Sequence, residues 1–164
     1  MSAYIEIDVA GAMPGLEALL DRLGGPLPLL QAAAEDARAH VDMNFSAGQN
    51  PYGQPWEPLS PVTIANRRRG SSVPLRDTGR LANSIEVVAS LDSILVGTNV
   101  EYAGTHQWGA QQGQYGRTRR NGPIPWGDVP ARKFLPDEGL PPELEAEVND
   151  TVRSFLDEAM RSAV

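Results

Sequence analysis

The chain has 164 residues, no cysteine and a formal net charge of -7. That length suits one domain with a hydrophobic core, and the lack of cysteine excludes disulfides, thiolate metal sites and cysteine nucleophiles. No apolar run is long enough for a transmembrane helix, so we expect no membrane contact. The acidic N-terminal segment lacks the basic start of a secretory signal, so we expect synthesis in a reducing cytoplasm.

The charges are segregated along the chain. Residues 1–58 and 137–164 each carry a net charge of -6, whereas residues 66–80 and 115–133 each carry +4. Such segregation suits self-assembly, in which patches of opposite sign meet across subunits. The alternative is that folding mixes these patches into a neutral surface.

The N-terminal half predicts a strand and two helices. Residues 4–9 alternate apolar and polar side chains, which indicates a half-buried strand. A short helix is expected over 15–23, ended by glycines. A longer amphipathic helix over 28–46 follows from apolar residues at helical spacing, and Gly48 is a suitable C-terminal cap.

The middle of the chain predicts short elements. Ser60-Pro61 starts a helix that runs to about residue 68. Asp77 or Thr78 can cap a second short helix that ends at Asn83. Residues 84–89 and 93–97 are strands joined by a tight turn, which predicts an antiparallel hairpin. A short helix is expected within 100–108.

Residues 109–131 have no usable periodicity, so we expect a long loop that is functional or becomes ordered on binding. A strongly amphipathic helix closes the chain over 142–160. The predicted fold is α+β: a small antiparallel sheet packed by two long amphipathic helices, with a long extended loop, or arm, before the C-terminal helix. The predicted core comprises Ile5, Ile7, Leu30, Ala37, Val41, Phe45, Trp56, Leu81, Ile85, Val87, Leu95, Tyr102, Phe134, Leu144, Val148, Val152 and Phe155.

Catalytic motifs are lacking. Glu101 and His106 are the one acid–histidine pair of interest, and a metal-dependent hydrolase built on them is an unfavoured hypothesis because no HExxH-type pair exists. No phosphate-binding glycine loop or nucleophile elbow is present. We therefore expect no catalytic residues, metal or cofactor.

The two basic segments are the candidate interface. Their arginines could contact DNA phosphates, but no recognition helix carries them, and the acidic net charge favours pairing with acids on a neighbouring subunit. The candidate interface residues are Arg67, Arg68, Arg69, Tyr115, Arg117, Arg119, Arg120 and Trp126.

Four short blocks resemble one known family. They are NPYGQPWEPLS at 50–60, PLRDTGRL at 74–81, VGT…YA…HQWG within 96–109, and IP…VPARKFL within 124–135. In this order and spacing they resemble the Mu-like phage virion morphogenesis family, which includes tail completion proteins of tailed phages. The resemblance covers roughly residues 30–160. Residues 1–25 lie outside it, and the insert at 110–128 departs from the family pattern.

Within these blocks we expect residues that build the scaffold. Gly53 and Pro55 fix a turn that lays Trp56 against the helices, and Arg132 is expected to anchor the chain after the insert by an ion pair. The scaffold set comprises Trp56, Thr78, Gly79, Leu81, Tyr102, His106, Gly109, Arg132 and Phe134.

The resemblance implies a single tail-completion or neck domain over residues 1–164. It implies a structural virion protein, assembled in the host cytoplasm, that completes the tail at the phage neck and joins it to the head. Its implied partners are further copies of itself in a ring, with a hexamer favoured over a dodecamer, a head–tail connector or stopper, and a tail terminator or tube protein. The alternative is a protein that lines the neck channel and contacts DNA non-specifically.

Overall fold

The computed structural model describes residues 3–8, 25–67 and 72–162, and the helix predicted over 15–23 lies outside these ranges. The described residues form the predicted α+β arrangement, and the expected strands and remaining helices are confirmed. In chain order the elements are β1 (Ala3–Asp8), α1 (Leu27–Ala47), α2 (Pro61–Asn66), α3 (Arg80–Asn83), β2 (Ile85–Ala89), β3 (Ser93–Thr98), α4 (Ala103–Trp108) and α5 (Pro142–Ser162).

The three strands form one antiparallel sheet in the order β1-β3-β2. The predicted hairpin of β2 and β3 is confirmed, with Ile85 opposite Thr98 and Val87 opposite Val96. Strand β1 pairs with the other edge of β3, and Ile5 lies opposite Val96. The last strand of the hairpin is therefore the centre of the sheet.

The inner face of the sheet carries the core. Ile94 and Val96 of β3 and Ile85 of β2 are almost fully buried. The prediction that Leu95 belongs to the core is wrong, because 40% of its surface is exposed. Successive strand residues point to opposite faces of the sheet. Because Ile94 and Val96 lie on the buried inner face, Leu95 lies on the outer face.

Helix α1 covers the inner face of the sheet and also packs against α5. Arg38 of α1 donates a hydrogen bond to the carbonyl oxygen of Ile85 in β2. At the C-terminal end of α1, Phe45 contacts the rings of Trp56 and Phe134, with ring centroids 5.5 and 5.7 Å away. These three aromatic side chains join α1 to two loop segments that are distant in sequence.

The predicted core is otherwise largely confirmed. Most of its members are buried, and Ile5, Val87 and Val148 are partly buried and pack against the core cluster. Tyr102 is an exception, since it is 38% exposed at the start of α4. The side chain of Ile7 lies outside the described part of the chain.

The stripe predicted to be buried on α5 is buried at its beginning. Leu144 is fully buried, whereas Val148, Val152 and Phe155 are half-buried. Thr151 donates a hydrogen bond of 2.5 Å to the carboxylate of Asp36 in α1. None of the helices in the described ranges is both long and apolar enough to cross a membrane.

The predicted long loop before α5 is present and folds back on itself. Ala110 and Val129 exchange two backbone hydrogen bonds of 2.9 and 2.8 Å at its base. Further along, the amide of Tyr115 donates to the carbonyl of Ile124, and that of Thr118 to Gly122. The loop is thus an irregular hairpin held by its own backbone.

Candidate functional site

A cleft of about 630 Å³ lies where the family-like blocks meet. Residues 57–60 form one wall, residues 77–81 another, and Tyr102 and His106 of α4 a third. The remaining side is formed by residues 128–130 and Arg132, which lie at and just after the C-terminal end of the long loop. Each of the four blocks thus contributes to one concave surface, although the blocks are spread over some 80 residues of sequence.

Arg132 fixes the geometry of this cleft. The side chain is 6% exposed, and its guanidinium donates to the carbonyl oxygens of Glu57 and Pro58 at 2.8 and 3.2 Å. The predicted anchoring role stands, but backbone carbonyls, rather than the predicted ion pair, accept its hydrogen bonds. Burial lowers the pKa of Arg132, Glu57 raises it, and the positive charge of Arg67 lowers it.

His106 faces the same positive surroundings. Burial lowers its pKa below the usual 6.5, and the charges of Arg132 and Arg67 lower it further. A neutral imidazole is therefore the form that this wall of the cleft favours near pH 7. Its Nδ1 atom is buried and has no hydrogen-bond partner in the structure.

Tyr102 contacts both the His106 ring and the charged Arg80 side chain. Its ring lies edge-on to His106 at a centroid distance of 5.7 Å, and the Arg80 guanidinium lies 5.9 Å from the ring centroid. Tyr102 therefore belongs to the cleft wall, where a cation–π contact holds Arg80. This role explains why it does not enter the core.

The segment before α3 completes the cleft. Thr78, Gly79 and Leu81 line it, and the Thr78 hydroxyl accepts a hydrogen bond from the Arg80 amide at 3.3 Å, where α3 begins. Leu75, which also lines the cleft, has a φ of 58°. That left-handed backbone is unusual for a leucine and marks a locally strained wall.

The cleft combines charges of both signs. Arg67, Arg80 and Arg132 line it together with Glu57, Asp77 and Asp128. One carboxylate oxygen of Asp77 is buried without a hydrogen-bond partner. Such a surface can bind a polar segment through hydrogen bonds.

Of the Glu101–His106 pair of the hydrolase hypothesis, one member lies in the cleft. His106 lines the cleft, whereas Glu101 is exposed in the turn before α4 and is not among the lining residues. Across the described ranges, no three His, Asp or Glu side chains lie close enough to hold a metal ion.

Gln107 is a central residue that the sequence analysis did not single out. It is 1% exposed; its amide nitrogen donates to the Leu135 carbonyl, and its amide oxygen accepts from Phe134 and Leu135. The side chain thereby clamps α4 to the segment after the loop. A polar residue inside the HQWG block was the available signal, because Gln107 adjoins His106, which belongs to the scaffold set.

Gly109 is explained by a close approach of the backbone. Its φ is 77°, and a Cβ atom there would lie 2.9 Å from the Val129 carbonyl oxygen and 3.0 Å from the Ala131 nitrogen. Any side chain would push apart the two ends of the loop. The remaining scaffold residues, Trp56 and Phe134, lie in the core, and the Trp56 indole donates to the Lys133 carbonyl at 2.7 Å.

The described residues of the predicted interface set differ in their position relative to the cleft. Arg67 lines the cleft and donates to the Val73 carbonyl, while Arg68 and Arg69 lie outside the described residues. None of the loop residues in the predicted set lines the cleft. These residues are all exposed: Tyr115, Arg117, Arg119, Arg120 and Trp126.

Comparison with known proteins agrees with the motif resemblance. The sequence profile of the phage virion morphogenesis family matches residues 7–157, so the family resemblance extends further towards the N-terminus than we predicted. The chain is 31% identical over 155 residues to the "Mu-like prophage FluMu G protein 2" of Haemophilus influenzae, a match that covers 93% of this chain and 96% of that protein.

A second relative is the "Putative capsid assembly protein G" of Escherichia phage Mu. It is 31% identical over 166 residues, a match that covers 96% of this chain and 98% of that protein. No solved structure matches the chain. The family and these relatives indicate a structural or assembly role in building phage particles, and the chain belongs to the phage virion morphogenesis family.

Proposed function

We propose that the protein completes the tail at the phage neck, where copies of the chain form a ring that joins the tail to the head. A hexamer is favoured over a dodecamer because six copies match tail symmetry. Its partners are a head–tail connector or stopper on one side and a tail terminator or tube protein on the other. Assembly takes place in the host cytoplasm, and the protein stays in the virion.

The observation that carries this proposal is the exposed apolar surface of the loop. Trp126 is 76% exposed, and Tyr115, Ile124 and the nearby Trp108 are exposed as well. Large apolar side chains grouped on the surface of a soluble domain mark sites of association. Because the loop backbone is held by its own hydrogen bonds, little conformational entropy is lost when a partner covers it.

The hydrogen bonds around the loop support a preformed shape. The Thr105 hydroxyl of α4 donates to the Tyr115 hydroxyl at 3.0 Å. Gln112 donates from its side chain to the Trp126 carbonyl and from its backbone to the Asp128 carboxylate. The loop is therefore tied to α4 and across its own base.

The test is the native mass of the purified chain at several concentrations, alone and with phage tails that lack this protein. We expect a closed ring, or a chain that joins the tails. Trp126→Ser should reduce ring formation or tail joining at least about tenfold, as expected for loss of an aromatic interface anchor. Met43→Ser, which changes an exposed side chain on α1, is the matched control. A chain that stays monomeric and does not bind the tails contradicts the proposal.

A DNA contact in the neck channel is the alternative. Three exposed arginines beside exposed aromatic side chains are a combination that contacts phosphates and bases. This alternative predicts duplex DNA binding that weakens with salt by a log–log slope of about -0.9 for each phosphate contacted. Replacing Arg117, Arg119 and Arg120 by serine should then remove the salt dependence. If the protein does not bind duplex DNA at low salt, the alternative is excluded.

A further inference from the structure

The sheet has an outer face that no described helix covers. Tyr4 and Val88 are 55% and 53% exposed, and Leu95 is exposed between them on the central strand. The ring of Tyr4 lies over Gly97, where a Cβ atom would collide with it. We call Tyr4, Glu86, Val88 and Leu95 the outer sheet face.

The charge on the outer sheet face is acidic. Glu86 is exposed and is paired with Gly97 in the register, and Gly97 is also the register partner of Tyr4. The strand residues of this face include no lysine or arginine.

The end of the loop has the opposite character. Residues 115–126, which we call the loop tip, contain Arg117, Arg119 and Arg120 and no acidic residue. The three arginines are exposed beside the exposed rings of Tyr115 and Trp126. The loop tip thus combines apolar side chains with a charge of +3.

We propose that the loop tip of one copy packs on the outer sheet face of the next copy. This inference rests on the proposed ring and names its contact surfaces. Apolar side chains meet apolar side chains, and the arginines meet Glu86, so the surfaces are complementary in both respects. Because the chain as a whole carries -7, its copies repel each other unless basic and acidic patches face one another.

Two different patches in contact give a head-to-tail interface. Such an interface repeats around a rotation axis and closes into a ring when the rotation permits. Every copy then uses both surfaces once. Its loop tip contacts the next copy, and its outer sheet face contacts the loop tip of the previous copy.

The absence of cysteine from the chain allows a direct test by chemical crosslinking. Val88→Cys and Arg119→Cys each place one thiol at an exposed position. Met43→Cys places one thiol at an exposed position of α1 and is the control. A short bismaleimide should link the mixture of the first two variants into dimers. Each variant alone should give at least about tenfold less crosslinked dimer, and so should the mixture of Arg119→Cys with Met43→Cys.

Charge exchange is the second test. Glu86→Arg makes both surfaces basic, and the pair Arg119→Glu with Arg120→Glu makes both acidic, so each variant alone should lose self-association. An equimolar mixture should recover it, because each altered surface then meets one of opposite charge. Thermal unfolding should be unchanged, since the altered side chains are exposed.

The outcomes separate this inference from the proposed function. If oligomers form but position 88 crosslinks no better than position 43, or the mixture does not recover association, the loop-to-sheet contact is wrong and the ring stands. If neither oligomers nor tail joining is found, both proposals fail. Selective crosslinking together with recovery supports the contact.

Discussion

Single side chains tie together loops that are far apart in sequence. The hydroxyl of Tyr52 accepts hydrogen bonds from the amides of Asp137 and Glu138 at 3.2 and 2.9 Å and donates to the Gly139 carbonyl at 3.2 Å. Trp56, Gln107 and Arg132 make comparable bonds to backbone groups. Buried or partly buried backbone groups need such partners where no helix or sheet supplies them.

Tyr52→Phe removes one hydroxyl and three hydrogen bonds. We expect the free energy of unfolding to fall by about 1 kcal/mol, because three hydrogen bonds to backbone groups at 137–139 are lost and water replaces them only in part at these exposed positions. Tyr115→Phe is the control, since it removes one exposed hydrogen bond to Thr105 and should cost less than about 0.5 kcal/mol. Urea unfolding of both variants measures the difference; equal costs would contradict the assigned role of Tyr52.

The lowered pKa of His106 predicts a pH dependence of stability. As pH falls through 6.5, the unfolded chain takes up a proton at this residue and the folded chain does not. The free energy of unfolding should therefore decrease from about pH 6.5 towards the lower folded pKa. His106→Gln should show a smaller decrease between about pH 7.5 and about pH 5. Parallel stability curves for both proteins would show that the pKa of His106 is not lowered.

At the scale of elements, the central strand decides which residues form the core. The run Ile94-Leu95-Val96 is apolar throughout, so alternation along the sequence does not distinguish its two faces. Pairing with both β1 and β2 fixes the register, and α1 then covers the face of Ile94 and Val96.

Alanine substitutions of neighbouring residues test this orientation. Ile94→Ala should lower the free energy of unfolding by about 2–4 kcal/mol, since it leaves a cavity beneath α1. Leu95→Ala should cost less than about 1 kcal/mol, because its side chain is partly in water. Denaturant unfolding of the two variants measures the costs, and a larger cost at Leu95 would reverse the assignment of faces.

At the scale of the whole molecule, the fold and the loop are separable. Of residues 110–129 in the loop, Ala110 alone is buried, at the base. The cleft and the core are held by residues outside the loop tip, among them Arg132, Gln107 and Phe134.

Replacing residues 116–123 by a short Gly-Ser segment should therefore leave the folded domain intact. We expect the free energy of unfolding to change by less than about 1 kcal/mol, since loop length affects closure entropy only weakly. The same variant should fail to form rings or join tails. Circular dichroism with thermal unfolding checks the first expectation, and native mass checks the second. Normal assembly of this variant would show that residues 116–123 are not needed for ring formation or tail joining.

The sequence by itself determined the elements and the family. Local patterns are sufficient for this: β1, α1 and α5 have regular hydrophobic periods, Gly48 caps the end of α1, and a short turn marks the β2–β3 hairpin. The four blocks are read directly from the residues. The C-terminal helix was placed within two residues of its observed end.

Only the tertiary structure decided which residues meet. It brought the four blocks together around one cleft and sent Leu95 and Tyr102 to the surface. It also placed Arg67, but none of the loop-tip arginines, in the lining of that cleft. These arrangements depend on contacts between residues that are tens of positions apart in the sequence. A local hydrophobic pattern does not specify such contacts. Hydrogen bonds from Gln107 and Arg132 to distant backbone groups arise from the same cause, because their partners are defined only once the chain has folded.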